Sequence, residues 1–289
     1  MRIFPRTVLT CTVLAMFGSL PVFGQNTFGL WTGVGVEKKI SKGTNLDLEV
    51  QYRLTDYLKA TDRWSTGISF SKRLYRNFDK TFNIKAAAEY KFIRVLNPES
   101  VKYKGELYDI PDNQDPKYYI DGGHDYNFTE SYWENKHRFI ASIQGALEVG
   151  RFKFSLRENF QYTFSDSVET SRTQHRFYAE YDPEIDDFVA FDSPITENVW
   201  KGGGDKSVLR SRIGVDYDIP NWKYNPFASF ELFNRTDRKL ALDKTRLTAG
   251  VEFTFANRHN FKIAYLWQDR TDEDEPSGSA ISINYKFEL

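Results

Sequence analysis

Residues 280–289 read AISINYKFEL. Ile281, Ile283, Tyr285, Phe287 and Leu289 alternate with Ser282, Asn284, Lys286 and Glu288. This period of two sets every large apolar group on one face of a strand and every polar group on the other. A strand so amphipathic is an aggregation hazard while its edge is unpaired. A barrel removes that edge by closing the last strand onto the first. The stretch is therefore read as the final stave of a β-barrel.

The same alternation runs back through the chain. Segment 260–268 opposes Phe261, Ile263, Tyr265 and Trp267 to Lys262 and Gln268. Segment 45–54 opposes Leu46, Leu48, Val50, Tyr52 and Leu54 to Asp47, Glu49, Gln51 and Arg53. Similar segments lie at 28–40, 63–75, 81–96, 136–149, 151–164, 207–217, 224–233 and 245–255, which makes eleven with the last. A length of about ten residues crosses a bilayer at a tilt. Short connections at 41–44, 76–80, 150, 218–223 and 256–259 alternate with long ones at 55–62, 97–135, 165–206, 234–244 and 269–278. That asymmetry belongs to outer-membrane barrels, with short periplasmic turns and long outer loops. A soluble lipocalin-like barrel or sandwich would not segregate loop lengths in this way. The expected fold is all-β, an antiparallel transmembrane β-barrel of about 10–12 strands. Short periplasmic turns and long extracellular loops join the strands, with large outer loops at 97–135 and 165–206. Bacterial single-chain barrels have even strand numbers. The count of eleven therefore predicts a missed or merged strand, or a first segment that is not a stave.

Residues 1–24 have the build of a secretory signal peptide, leaving 25–289 as the barrel domain. Arg2 and Arg6 form the positive start, and 7–20 is an apolar run too short to span a bilayer. Val22 and Gly24 stand where a signal peptidase reads, so cleavage is expected before Gln25. Cys11 would leave with this segment, and with it any disulfide, thiolate metal site or cysteine nucleophile. The remaining chain carries 37 basic and 40 acidic residues, a net charge of −3, which argues against a nucleic-acid partner. Aromatic residues make up 16% of the chain although its mean hydropathy is −0.57. A polar chain rich in aromatics fits a membrane barrel, where half of each strand faces water and aromatic girdles mark both interfaces.

Catalytic signals are weak. His124, His137, His175 and His259 lie in no metal-binding spacing, and no G-x-S-x-G occurs. Ser142 is five residues from His137, which puts the two on opposite faces of one strand. The acidic runs 182–187 and 272–275 lack the order and glycine of a calcium loop and read as solvated loops. Gly202, Gly203 and Gly204 lack the flanking Lys-Ser/Thr of a phosphate loop and read as a flexible loop tip. Tyr118, Tyr119, Tyr132 and Trp133 are candidate stacking contacts for a ligand of the 97–135 loop. The inward positions from the second strand onward carry fourteen basic groups against eight acidic ones. Among them Glu49, Arg53, Glu89, Arg138, Arg157, Arg210, Arg212, Glu231, Arg246 and Glu252 are expected to line the lumen. Long charged side chains bridging so narrow a lumen predict a largely obstructed lumen, with a weak anion preference for whatever pore remains.

Trp31 with Gly35, Glu49-x-x-x-Arg53, Gly67 and Tyr75 form one ordered series of short motifs. Pro226, Glu231-x-Phe233, Arg246-x-x-x-Gly250, Tyr265 and Tyr285-x-Phe287 continue it to the end of the chain. In this order they resemble the family called domain of unknown function 2490, outer-membrane barrel-type proteins of Gram-negative bacteria. The resemblance implies location and fold and lends no catalytic residue or cofactor. The closing strand also resembles the recognition signal of the barrel-assembly machinery, although it ends in Leu289 where an aromatic is commoner. The expected partners are outer-membrane lipid, that machinery, and a small solute or surface glycan. The expected function is small-solute passage or a structural, surface-binding role in the outer membrane. A rim enzyme acting on lipid or polysaccharide is the alternative.

Overall fold

The computed structural model describes residues 27–104, 125–184, 187–271 and 277–289. Fifteen strands follow in chain order: β1 (Thr27–Ser41), β2 (Thr44–Thr55), β3 (Ala60–Arg76), β4 (Phe82–Asn97) and β5 (Ser100–Tyr103). Next come β6 (Tyr126–Thr129), β7 (Tyr132–Val149), β8 (Phe152–His175), β9 (Phe177–Asp182) and β10 (Asp187–Asp192). The last five are β11 (Ile195–Tyr217), β12 (Tyr224–Arg235), β13 (Ala241–Phe255), β14 (His259–Arg270) and β15 (Gly278–Glu288).

Eleven of these strands close into a barrel in the order β1-β2-β3-β4-β7-β8-β11-β12-β13-β14-β15. Every neighbouring pair is antiparallel except the closing one. There β1 and β15 run parallel, in register from Thr27↔Gly278 to Glu37↔Glu288. The count falls within the expected 10–12 strands, the expectation of an even number is corrected here, and the closing pair is the one exception to the antiparallel pattern. An odd set of up-and-down staves leaves the first and last pointing the same way, so only a parallel pair can close it. β1 therefore starts at the end of the barrel that carries the long connections, while β15 finishes at the end that carries the short ones. We call these the loop end and the turn end.

At the turn end β7 passes to β8 through Gly150 and Arg151 alone. Gly150 takes a φ of +61°, the left-handed conformation that glycine adopts without steric cost. At the loop end the sequence reading needs correction. Most of 165–206 is strand, because β8 and β11 stay paired from Gly204↔Ser165 up to Ile195↔Gln174. β6 adds to the far end of β8 and β5 to β6, so a wall of sheet rises from the rim. The β8 part of this wall, 165–174, has Val168 as its one apolar residue, so no apolar stripe marks it in the sequence. Gly202, Gly203 and Gly204 are a kink within β11, with φ of +71°, +80° and +98°. A Cβ on Gly202 would stand 2.9 Å from the Asp166 carbonyl oxygen.

The barrel is apolar outside and polar inside. Val34, Val50, Leu156 and Ile283 are exposed on the outer face, and Ile213 is 61% exposed. The buried positions among the described residues are mostly polar, and none is a large, fully buried apolar side chain. Folding thus leaves the apolar stripe of each stave uncovered by protein, the inverse of a soluble barrel. Rings encircle both ends of the outer face. Tyr224, Phe253, Phe261 and Tyr285 follow one another at 5.1 Å near the turn end. Trp64, Phe92 and His137 follow at 5.5 Å near the loop end. Such aromatic girdles mark the two interfaces of membrane barrels. Glu158 is the exception on the outer face of β8. It lies in unbroken register between Ile143 and Ser211, and its carboxylate accepts a hydrogen bond from Ser211 Oγ at 2.7 Å.

Candidate lumenal site

Period-two alternation decides which side chains enter the lumen. In β2 the inward set is Asn45, Asp47, Glu49, Gln51 and Arg53, and all five line a cavity of about 560 Å³ inside the barrel. In β1 it is Trp31, Gly33, Gly35 and Glu37. A Cβ on Gly33 would sit 2.3 Å from Asn284 Oδ1, so the missing side chain leaves room for Asn284 of the neighbouring β15. Six arginines face this cavity: Arg53, Arg63, Arg138, Arg157, Arg210 and Arg246. Three lysines, Lys85, Lys91 and Lys286, join them, against the carboxylates of Glu37, Asp47, Glu49 and Glu89.

Toward the turn end three lysines pair with carboxylates, while Lys85 has none in ion-pair distance among the described residues. Lys286 Nζ donates to Asp47 at 2.6 Å and to Glu37 at 3.4 Å. Lys91 Nζ stands 3.1 Å from Glu89 and 3.8 Å from Glu49, and Lys262 stands 3.5 Å from Glu252. Glu37 and Asp47 face each other across β1 and β2, and Lys286 relieves their repulsion.

The loop-end half gathers guanidinium groups around one buried carboxylate. Glu231 is 2% exposed. Arg210 donates to both its oxygens, at 2.6 and 2.8 Å, while Arg212 and Arg246 each approach to 3.5 Å. A carboxylate this buried persists because such neighbours hold its charge. Two inward rings lie against further cations. The Trp31 ring has Arg53 at 3.8 Å and Arg246 at 5.0 Å. The Phe233 ring has Lys244 at 4.4 Å, Arg210 at 5.0 Å and Arg246 at 5.1 Å. Cation–π contact of this kind offsets part of the cost of removing a charge from water. Arg53, Arg138 and Arg157 donate to neutral partners, respectively Gln51 at 3.2 Å, Thr163 at 3.0 Å and Gln144 at 2.7 Å.

Seven of the ten residues expected in the lumen face this one cavity: Glu49, Arg53, Glu89, Arg138, Arg157, Arg210 and Arg246. Glu231 and Arg212 sit behind them in the loop-end cluster, and Glu252 pairs with Lys262 near the turn end. Sequence reading missed Lys244, because 234–244 looked like a connection; β13 begins at Ala241. It also missed the inward Phe233, although its alternation with Leu232 was visible. Of the four loop contacts, Tyr132 and Trp133 open β7. Tyr118 and Tyr119 lie outside the described residues, as do 1–24, His124 and 272–275, while the 182–187 run is described only in part. The Trp133 ring has Arg94 at 5.3 Å. His137 is on the outer face, its Nδ1 2.8 Å from the Tyr90 hydroxyl, whereas Ser142 faces the lumen. Among the described residues no three His, Cys, Asp or Glu side chains group as a metal site.

On the wall above the rim, Arg172 Nε donates to Glu197 at 2.9 Å and Gln174 donates to the same oxygen. The Arg172 bond, then the Gln174 bond, hold the Glu197 carboxyl below the usual carboxylate range.

The family model described as "Protein of unknown function (DUF2490)" matches residues 28–276. No match is found among curated proteins. Among solved structures, the β domain of the Bordetella autotransporter BrkA is similar with a TM-score of 0.40 and 10% identity. That likeness covers 86% of this chain and 82% of that one. The translocator domain of the autotransporter NalP from Neisseria meningitidis is similar with a TM-score of 0.38 and 11% identity, over 94% and 92%.

Proposed function

The chain belongs to the family of proteins of unknown function DUF2490, and from that premise we propose a Gram-negative outer-membrane barrel that passes small hydrophilic solutes, anions in preference. The observation that carries this reading is the cavity, in which nine cationic side chains meet four carboxylates behind an apolar outer face. An exposed apolar stripe on every stave asks for lipid around the barrel, and girdles of rings at both ends fit its two interfaces. Residues 1–24 would direct export and be removed, and β15 would present the closing signal to the assembly machinery. Rings of fixed positive charge in a pore raise the local concentration of anions. A rim hydrolase draws no support from His137 and Ser142, which point to opposite faces.

Single-channel recording on refolded protein in planar bilayers tests the proposal. A small conductance with a reversal potential on the anion side is expected. A wide, cation-selective conductance overturns it. Recovery of the expressed protein in the soluble periplasm, with no unheated-gel mobility shift, would overturn the membrane reading itself.

A further inference from the structure

We infer that the loop-end half of the lumen is a binding site for a phosphate-class dianion, seated among Arg53, Arg63, Arg138 and Arg246. This gives the passage reading its substrate class and rests on that reading for an accessible lumen.

Charge balance is the first support. Among the described residues only two carboxylates lie within ion-pair distance of the six cavity arginines, Asp62 on Arg63 and Glu231 on Arg210 and Arg246. Glu231 is shared with Arg212 as well. Among the described residues Arg53 and Arg138 have only neutral hydrogen-bond partners. Lys244, beside them, has an aromatic ring and, among the described residues, no carboxylate in ion-pair distance. Guanidinium groups do not lose their charge at neutral pH, so this half of the lumen holds a standing positive excess.

Register is the second. Arg53 is directly opposite Arg63 across β2 and β3. Like charges directly across a sheet destabilise it. Arg63 is also the electrostatic neighbour of Arg138 and Arg246. A dianion among them converts several repulsions into attractions at once, which a single chloride does less well.

The donors are also held in place before any ligand arrives. Trp31 lies against both Arg53 and Arg246, and Gln268 accepts from Arg246 at 2.7 Å. A planar guanidinium fork matches two oxygens of a phosphoryl group. Donors fixed beforehand lose little freedom on binding. The cavity, at about 560 Å³, is within the range of small-ligand sites and has room for more than bare phosphate. Lys91 and Lys286 are neutralised by their own carboxylates, and the guanidinium groups that gather around Trp31 place the site at the loop end.

The test is titration calorimetry on the full-length refolded barrel in detergent, at constant ionic strength in chloride. Inorganic phosphate and glucose 6-phosphate are titrated separately, with glucose as the uncharged control. Saturable binding at one site per barrel is expected for either phosphate and none for glucose. Tighter binding of the sugar phosphate would assign an organic phosphate as the natural occupant, and equal binding the free ion. The double variant R53Q/R138Q should bind at least tenfold more weakly, while K153Q, near the turn end, should bind as wild type does. If the double variant does not refold, R53K takes its place; it keeps the charge, loses the fork and should also weaken binding. Absence of saturable binding, wild-type affinity in the arginine variants, or equal weakening by K153Q overturns the site. Binding without conductance would overturn passage alone, and conductance without binding would overturn this site alone.

Discussion

At the turn end, Lys286 sits between Asp47 and Glu37, at 2.6 and 3.4 Å. At the loop end, Arg53 faces Arg63 across the β2–β3 pair, and its hydrogen bond goes to Gln51. Both halves are lined by the same alternating staves. One pairs Lys91, Lys262 and Lys286 with nearby carboxylates and leaves Lys85 as its one cavity lysine without an ion pair among the described residues. The other places most of its counter-charge in a single glutamate and leaves cations facing a cavity. Paired charges satisfy one another, whereas unpaired ones carry a desolvation cost that the proposed anion would offset.

The sharpest way to break this contrast is to remove the one carboxylate on which the loop end depends. Glu231→Gln strips the shared counter-ion from Arg210, Arg212 and Arg246 while keeping side-chain size. Breaking a buried charge network in this way costs about 3–5 kcal/mol. Asp47→Asn at the turn end leaves Lys286 its bond to Glu37 and should cost about 1 kcal/mol or less. Urea unfolding in detergent, followed by the unheated-gel mobility shift, reads both. Equal losses would show that the two halves do not differ in how they hold charge.

A second pair of variants tests the inward register on which both halves rest. Ile68 and Ser69 are neighbours in β3; Ile68 is exposed on the outer face and Ser69 lines the cavity. Arginine at mid-membrane on the lipid face costs about 2–4 kcal/mol. Ile68→Arg should therefore lower the folded yield in lipid vesicles markedly, and Ser69→Arg much less. Equal tolerance would mean that the stave is rotated and the lumenal assignments with it.

A third variant probes where the loop-end half leaves the barrel. Gly202 takes a φ of +71° opposite Ser167, and its α-carbon leaves no room for a Cβ beside Asp166 and Glu134. Glu134 is the carboxylate that holds Lys136 at 3.1 Å. Left-handed backbone costs a non-glycine residue about 1–2 kcal/mol. Gly202→Ala should loosen the wall above the rim, seen as faster amide exchange across β8 and β11 beyond the kink. Exchange in the turn-end staves should not change. A global loss of protection would show that wall and barrel fold as one unit.

These expectations also mark how far the sequence could be read. Alternation in 45–54 and 260–268 showed which residues turn inward, and the cavity gathers seven of the ten named from it. The count of eleven was legible too. Its meaning was not, because alternation fixes which face a residue takes but not the direction of the stave that closes the barrel. The wall from Ser165 to Gln174 escaped because a strand with Val168 as its one apolar residue carries no apolar stripe. The difference in charge pairing between the two halves was invisible as well. Fourteen basic and eight acidic inward groups can be counted in a line, but which meet depends on register across neighbouring staves.

The smallest effect expected concerns an ion pair of the loop end that water can reach. Glu197 and Arg172 face each other across β11 and β8 on the wall, a solvent-exposed counterpart of the Glu231 cluster. Its hydrogen bonds from Arg172 and Gln174 depress the Glu197 pKa in the folded protein. A depressed carboxylate contributes stability that is fully present above its unfolded value of about 4.3 and fades as pH falls through the folded value. The wall should therefore exchange its amides faster, relative to intrinsic rates, only below that unfolded value. High salt should weaken the effect by screening so exposed a pair. Glu197→Gln should abolish the pH dependence at Arg172 and Gln174 while leaving the turn-end staves as they were. Persistence of the same acid response in Glu197→Gln would assign it to another group and remove this pair from the account of the loop end.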